Sequence, residues 1–509
     1  MLPFLNSTNR GTGKQMVEFR GINYSDQTQD GDLRDSLNVS ARRYPYLSTR
    51  RARAKQEGYA NCTALTARGK LVAVRGTDLL YDGNVVGQVT EGEKQFAVVN
   101  TKMVIWPDKV YLDLTSQTVK PMGAKMTGTG AKFTATGITF TGWGDLTEHF
   151  KVGDGITISG CTVKTENNKD VTIKGITATE ITVNENEIVA ADETGELTLE
   201  RRIPDLDYIC ESENRLWGCS STAQTIYASS LGDPTNFFVN DGIATDSWAV
   251  AVGTEGDFTG CIRLSSSLLF WKETKLHKLL GSYPAEYSMY TYDIEGLQKG
   301  CHKSLQIINE VLYYMGLHGV YGYTGGMPAL MSPNFADRML TNAVAGNDGD
   351  SYYLSVQDGE ARHLFVYETR SGIWVREDDT QVLDFARVGK DLYFLNSDGE
   401  VWLSDSRTED MEQEWMAQFT PFYDTIQGRK HYSKLLLRVE LPEGAWMRVE
   451  VCFDGGTWHE AGKLLGRKQD SIPLVVPINR CDRFELRLSG CGPCSVLAMA
   501  LEYQIGSDV

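Results

Sequence analysis

At 509 residues with 41% apolar content, the chain is long enough for roughly two to four domains and apolar enough to bury ordinary cores, so disorder is not its default state. Its 67 Asp and Glu against 50 Lys and Arg give a formal charge of −17, which argues against the basic stripe that grips nucleic acid through phosphates. Fifty glycines against fourteen prolines, with frequent Thr, Val and Tyr, favour β-structure with many tight turns over helix.

Residues 1–58 show little regular pattern and read as an extended arm. The arm ends in a basic cluster, Arg42, Arg43, Arg50, Arg51 and Arg53, broken by Tyr44-Pro45-Tyr46-Leu47. Short basic runs in an acidic protein are usually neutralised internally, so the cluster is expected to pin the arm to the body; contact with a partner subunit or DNA is the alternative. The initial apolar run Leu2-Pro3-Phe4-Leu5 is too short for a signal peptide, and the runs near 268–271 and 495–501 are too short to span a bilayer. These features point to a soluble product made in the cytoplasm.

From Tyr59 onward, short apolar strands alternate with polar turns. Leu71-Val72-Ala73-Val74 is followed by Asp78-Leu79-Leu80-Tyr81, and Met103-Val104-Ile105-Trp106 by Val110-Tyr111-Leu112. The form is clearest in 207–238, where Leu216, Trp217 and Cys219, then Ile226, Tyr227 and Ala228, carry the period-two signal of antiparallel strands before Asp233-Pro234-Thr235 ends the second. It returns at 267–271, 311–315, 319–323, 351–354, 363–367, 391–395 and 400–403. Two short strands joined by a turn cannot bury their own faces, so such sheets must stack around an axis. The expected fold is all-β, a β-propeller of six or seven blades over 59–120 and 202–411, with a pair of β-sandwiches as the competing architecture.

Residues 121–201 interrupt this rhythm with more Gly and Thr and fewer aromatics. They read as a small β-barrel or sandwich inserted between blades, projecting toward a partner. From 412 to 509 the pattern predicts a C-terminal β-sandwich. Trp415, Ala417 and Phe419 alternate with polar residues, and 435–441 with 446–453 read as a hairpin across Pro442-Glu443-Gly444.

The residues that carry chemistry elsewhere lack their settings here. Cys491-Gly492-Pro493-Cys494 spells the thioredoxin tetrapeptide, but without the βαβ surroundings that lower the thiol pKa, and Gly-Pro there most simply turns one strand into the next. A zinc site from Cys452, Cys481, Cys491 and Cys494 has one close pair only. The other cysteines, Cys62, Cys161, Cys210, Cys219, Cys261 and Cys301, lie mostly inside apolar strands, as buried thiols of a reducing compartment do. Asn9-Arg10-Gly11-Thr12-Gly13-Lys14-Gln15 lacks the first Gly and the final Ser or Thr of a phosphate loop. His149, His277, His302, His318, His363, His431 and His459 show no metal-ligand spacing, and Glu377-Asp378-Asp379 reads as a solvated turn. No catalytic, cofactor-binding or metal residue is therefore assigned, and no cofactor.

The stretch Glu213-Asn214-Arg215-Leu216-Trp217-Gly218, Ile226-Tyr227-Ala228-Ser229 and Leu231-Gly232-Asp233-Pro234-Thr235-Asn236-Phe237 resembles the tail hub, or nozzle, proteins of short-tailed bacteriophages, also called packaged-DNA stabilisation proteins. The order continues through Leu269-Phe270-Trp271-Lys272-Glu273 with Lys278 and Gly281, Gly300-Cys301-His302-Lys303-Ser304, and Leu317-His318-Gly319-Val320-Tyr321-Gly322-Tyr323 with Ser332-Pro333. The likeness is best over 205–335. It implies a virion protein of the tail, made in the host cytoplasm: a propeller protomer in a ring, expected to be a hexamer, that encloses the DNA exit channel. The implied partners are the tail adaptor or portal-side ring, tail fibre or spike proteins, and DNA in transit, with no membrane span. It implies no catalytic residues, so the chain is expected not to be an enzyme. An acidic wall would let DNA pass without sticking. Two functions compete: a receptor-binding or fibre protein that recognises host glycans through aromatics such as Trp374 and Tyr393, unless these are blade core, and a propeller glycoside hydrolase.

Overall fold

The structure, a computed structural model, describes residues 12–424, 428–467 and 471–505. Leu2-Pro3-Phe4-Leu5 and the first residues of Asn9–Gln15 lie outside them. The chain is all-β, with seven four-stranded antiparallel blades among the described residues, a β-propeller. It divides into two compact units, Asn61–His302 and Met1–Ala60 with Lys303–Val509.

Unit 61–302 holds four blades, each a simple up-and-down sheet. Blade 1 runs from Cys62–Arg68 to Asn84–Gln88, blade 2 from Gln95–Val99 to Thr118–Pro121, blade 3 from Tyr208–Ser212 to Trp248–Ala251, and blade 4 from Gly260–Leu264 to Ser288–Asp293. Side chains alternate across a strand, so successive residues of one strand serve two cores. In blade 2, Met103 and Ile105 pack against Val72, Val74 and Leu79 of blade 1. Val104 and Trp106 face the other way, toward Ile209 and Leu216 of blade 3. Leu216 joins that core, while its neighbour Trp217, with Cys219, packs with Leu268 and Phe270 of blade 4. Every residue of Arg215–Ser220 is buried, because both faces of the strand are covered. This is why the second strands of blades read as nearly continuous apolar runs rather than clean alternation.

The insertion forms a seven-stranded sheet of its own between blades 2 and 3. Its first and last strands, Lys125–Phe133 and Ala191–Arg201, pair antiparallel with Lys125 opposite Glu200, so the module leaves and re-enters the blade chain at one place. Its core, with Ile138, Leu146, Ile156, Ile173, Ile181 and Leu199 fully buried, is separate from the blade cores.

Unit 1–60 with 303–509 holds the other three blades. Blade 5 runs from Gln306–Ile308 to Ala329–Leu330, and blade 6 from Leu340–Asn347 to Ile373–Asp378. Blade 7 takes three strands from Val382–Val388, Asp391–Asn396 and Val401–Leu403, and its fourth, Ala54–Lys55, from the N-terminal segment. The expected extended arm is thus built into sheets. Thr12–Met16 pairs with Ser495–Ile505, Asp32–Leu37 with Glu414–Phe419, and Leu47–Thr49 with Ser495 and Val496. These strands are short and rich in charge, as in Asp32-Leu33-Arg34-Asp35, so they show no periodicity before their partners are known.

The C-terminal segment joins those strands in an eleven-stranded arrangement. Trp415, Ala417 and Phe419 are buried, as their alternation requires. The hairpin expected across Pro442-Glu443-Gly444 does not form. Lys430–Phe453 is one strand whose first part pairs with Ser495–Ile505 and whose last part pairs with Phe484–Cys491. Pro442 cannot donate to a ladder and Gly444 has φ of 90°, so the segment bends between two sheets instead of reversing. The reversal comes later, at Asp454-Gly455-Gly456-Thr457, before Trp458–Arg467.

Candidate functional site

The basic cluster of the N-terminal segment is where sequence and structure meet most directly. Arg53 donates to Glu377 at 2.8 Å and Asp378 at 2.7 Å, Arg50 lies 3.9 Å from Glu377, and Arg43 reaches Glu440 at 3.2 Å. Glu377 is buried, so Glu377-Asp378-Asp379 is not the expected solvated turn; its first two residues are counter-ions for this cluster, and Asp379 pairs with Arg376 at 2.6 Å. Burial works against the charge on Arg53, and the two carboxylates outweigh it, raising its pKa.

Arg42 organises a cleft of about 690 Å³ between the N-terminal segment and blades 6 and 7. Its guanidinium donates to Asp405 at 2.7 Å, to the Tyr353 hydroxyl at 2.8 Å, and to Asp348. Asp348 is fixed in turn by the backbone N–H groups of Asp350 (3.0 Å) and Ser351 (2.8 Å). Burial opposes the charge on Arg42, but Tyr353, Asp348 and Asp405 raise its pKa, so it stays a cation. Burial likewise pushes the Tyr353 hydroxyl well up.

Glu368 lines the same cleft and is 7% exposed. Its Oε2 accepts from Ser351 Oγ at 3.0 Å, while Oε1 meets no donor at bonding geometry. Its pKa is raised, by burial first and with a contribution from the Asp348 charge, against the pull of the Ser351 hydroxyl and the Arg370 backbone N–H. At the rim, Arg370 pairs with Asp350 at 2.8 Å and Arg407 pairs with Asp391. Arg387 donates to Gly389 O and Asn347 Oδ1, each at 2.9 Å. Gly349, with φ of 106°, makes room for it: a Cβ there would stand 2.8 Å from Arg387 Nη2. Chemically, the cleft offers a charged, partly cationic rim, with the Glu368 carboxyl buried behind its lining.

The features singled out in the sequence lie elsewhere. Trp374 is 1% exposed and donates to Met331 O at 2.8 Å, and Tyr393 is half-buried; Trp374 is blade core, not a sugar platform. Cys491 and Cys494 flank a turn between two strands, Cys491 Sγ lies 3.4 Å from Met411 O, and burial pushes the Cys494 thiol up, opposite to what redox work needs. His277 is buried between the hydroxyls of Thr254 and Thr291, each 2.9 Å away, and burial, aided by Lys272, lowers its pKa to about 4. Among the described residues no group of three or more His, Cys, Asp or Glu is placed to hold a metal ion, and no helix is long and apolar enough to cross a membrane. Nothing in the local sequence marks the cleft. Its one local trace, Asn347-Asp348-Gly349-Asp350, reads simply as a hairpin turn.

No family model and no curated protein sequence matches the chain. Among solved structures it is similar to an exo-β-1,3-galactanase from Phanerochaete chrysosporium bound to galactose, at 9% identity over 56% of this chain and 92% of that one, with a TM-score of 0.24. It is also similar to Hsv2 of Kluyveromyces lactis, at 10% identity over 60% and 69% with a TM-score of 0.30, and to an engineered GH43 glycoside hydrolase, at 9% over 59% and 97% with a TM-score of 0.22. The expectation that the chain is not an enzyme is corrected here, since glycoside hydrolases recur among these matches and the blade architecture does not speak against hydrolysis. At such identities the likeness concerns the fold alone, and no activity passes from these proteins to this chain.

Proposed function

We propose that the chain is a virion subunit of a phage tail hub or nozzle, whose copies close into a ring around the DNA exit channel. The observation that carries this reading is how the stretch with that resemblance is used. Arg215 is 1% exposed and donates to the carbonyl of Ser229 at 2.8 Å and also to those of Asp246 and Ala244 at 2.5 Å, and Ser229 Oγ accepts from Leu216 N at 2.9 Å. Ser230 bridges to Asp233, and Ser230 N donates to Asn236 O at 2.8 Å. These motif residues hold a blade rigid, which is what a scaffold requires. Arg42, Arg43 and Arg53 of the N-terminal segment pair with carboxylates of the same chain, so they add no free basic patch to a chain of formal charge −17. Immunogold labelling of particles with an antibody to this chain should decorate the tail. Label on the capsid shell would overturn the reading.

A second reading, saccharide recognition, is favoured by one specific observation, a cleft of ligand size lined by polar and charged side chains and by the exposed ring of Tyr44. Titrating the full chain with oligosaccharides tests it, with saturable binding expected. Cleavage of a bound saccharide would extend the reading to hydrolysis; absence of all binding would sink it.

A further inference from the structure

Three of the ten cysteines come together at the interface between blades 3 and 4. Cys210 lies in Tyr208–Ser212 and Cys261 in Gly260–Leu264, the first strands of the two blades, whose Cα traces approach within 8 Å of each other. Ile209 packs in the core shared with blade 2, so its neighbours Tyr208 and Cys210 face the opposite way, into the core shared with blade 4. Cys261 enters that core from the blade 4 side. Cys219, which stands opposite Tyr208 in the next strand, is fully buried there. Cys210 Sγ lies within hydrogen-bonding reach of Cys261 Sγ, and Cys261 Sγ within reach of Cys219 Sγ. Of the three, Cys210 is the most exposed.

We propose that Cys210 and Cys261 form a redox-dependent clamp between blades 3 and 4, a disulfide that a peroxide closes and a thiol reductant reopens. Cys210, ionised, takes one oxygen from the peroxide and becomes a sulfenic acid, while the other oxygen leaves as water. Cys261 then attacks Cys210 Sγ, the S–O bond breaks, the S–S bond forms, and the proton of Cys261 leaves with the oxygen as a second water. Two thiols are oxidised by two electrons and one hydrogen peroxide is reduced. Sulfurs already held side by side make the second step intramolecular, which favours it over reaction with a solute. Cys219 is the rival partner of Cys261, but it is fully buried in the second strand of blade 3, whereas the oxidant arrives at the more exposed Cys210. The hydrogen bond to Cys261, then burial, push the Cys210 thiol well up, and burial does the same to Cys261. Closure is therefore slow at neutral pH and quickens as pH rises. The open form in turn gains nothing from a stabilised thiolate, which leaves the closed form hard to reduce once made. Because the two cysteines belong to different blades, the bond closes a long loop of chain and restricts the unfolded state.

The test is treatment of the folded, full-length chain with hydrogen peroxide at neutral and at mildly alkaline pH, followed by blocking of free thiols and peptide mapping without reduction. A peptide pair joined through Cys210 and Cys261 is expected, formed faster at the higher pH and lost on adding dithiothreitol. The oxidised chain should also show a higher midpoint in chemical denaturation than the reduced chain. Cys219→Ser should keep the link. Cys261→Ser should abolish it and leave a sulfenic acid at Cys210 that dimedone traps. A chain that keeps all ten thiols, a link between Cys219 and Cys261 instead, oxidation of Cys210 to the sulfinic or sulfonic acid without any link, or an unchanged denaturation midpoint would each overturn the clamp. The map of the unsubstituted chain decides the matter by itself, whether or not the serine variants fold.

Discussion

Two buried glutamates, one in the inserted module and one in the cleft of blade 6, share a side chain and have opposite chemistry. Glu193 is 1% exposed, and both its oxygens are met: Thr162 N, Val163 N, Lys164 N and Thr162 Oγ1 donate to it at 2.8–3.3 Å. Burial alone would raise its pKa, but the backbone donors outweigh burial and lower it. Glu368 is buried almost as deeply, yet one hydroxyl bond is its only one at good geometry, and its pKa is raised. The difference teaches that burial of a carboxyl does not decide its role. A carboxylate saturated with donors is a structural pin held in its charged form, and one with few donors is pushed toward its neutral form.

The comparison can be broken hardest where buried charge holds the N-terminal segment. Arg53→Ala leaves Glu377 and Asp378 without their shared cation and should cost about 3–5 kcal/mol in chemical denaturation. Glu193→Ala strands three backbone N–H donors and should cost about 2–3 kcal/mol, with lost hydrogen-exchange protection concentrated in the loop 162–164. Glu368→Gln is the sharpening case. It should change stability by less than about 1 kcal/mol at neutral pH, and in the favourable direction, because it removes a charge the site disfavours.

The two residues also predict opposite slopes with pH. The folded pKa of Glu193 lies below its unfolded value, so its contribution is present above the ordinary range near about 4.3 and is lost as pH falls through the folded pKa. The folded pKa of Glu368 lies above its unfolded value, so stability falls as pH rises between the two. In denaturation profiles from pH 3 to 7, Glu193→Gln should therefore flatten the acid side, and Glu368→Gln should remove a smaller loss toward neutrality.

Legibility in the sequence followed the same division. Where burial comes from repetition, the chain could be read: Leu216 and Trp217 point into two different cores, and Trp415, Ala417 and Phe419 alternate into one. Where structure depends on pairing across great separations, it could not. Arg42 and Asp348 stand 306 positions apart, and nothing local to either marks a cleft. The strands of the N-terminal segment are two to six residues long, too short for a period to show, and Pro442-Glu443-Gly444 has the composition of a reversal while serving as a bend. Trp374 was legible as an aromatic, but its burial was decided by Phe335 and Tyr367, whose rings lie 4.9 and 4.8 Å away.

The division between a donor-saturated and a donor-poor buried carboxyl is tested most directly by carbon-detected NMR titration of the Glu193 and Glu368 side chains in the intact chain, each assigned by its Gln variant. The account predicts that Glu193 titrates below the ordinary glutamate range and Glu368 above it. Coincident midpoints, or the reverse order, would contradict it.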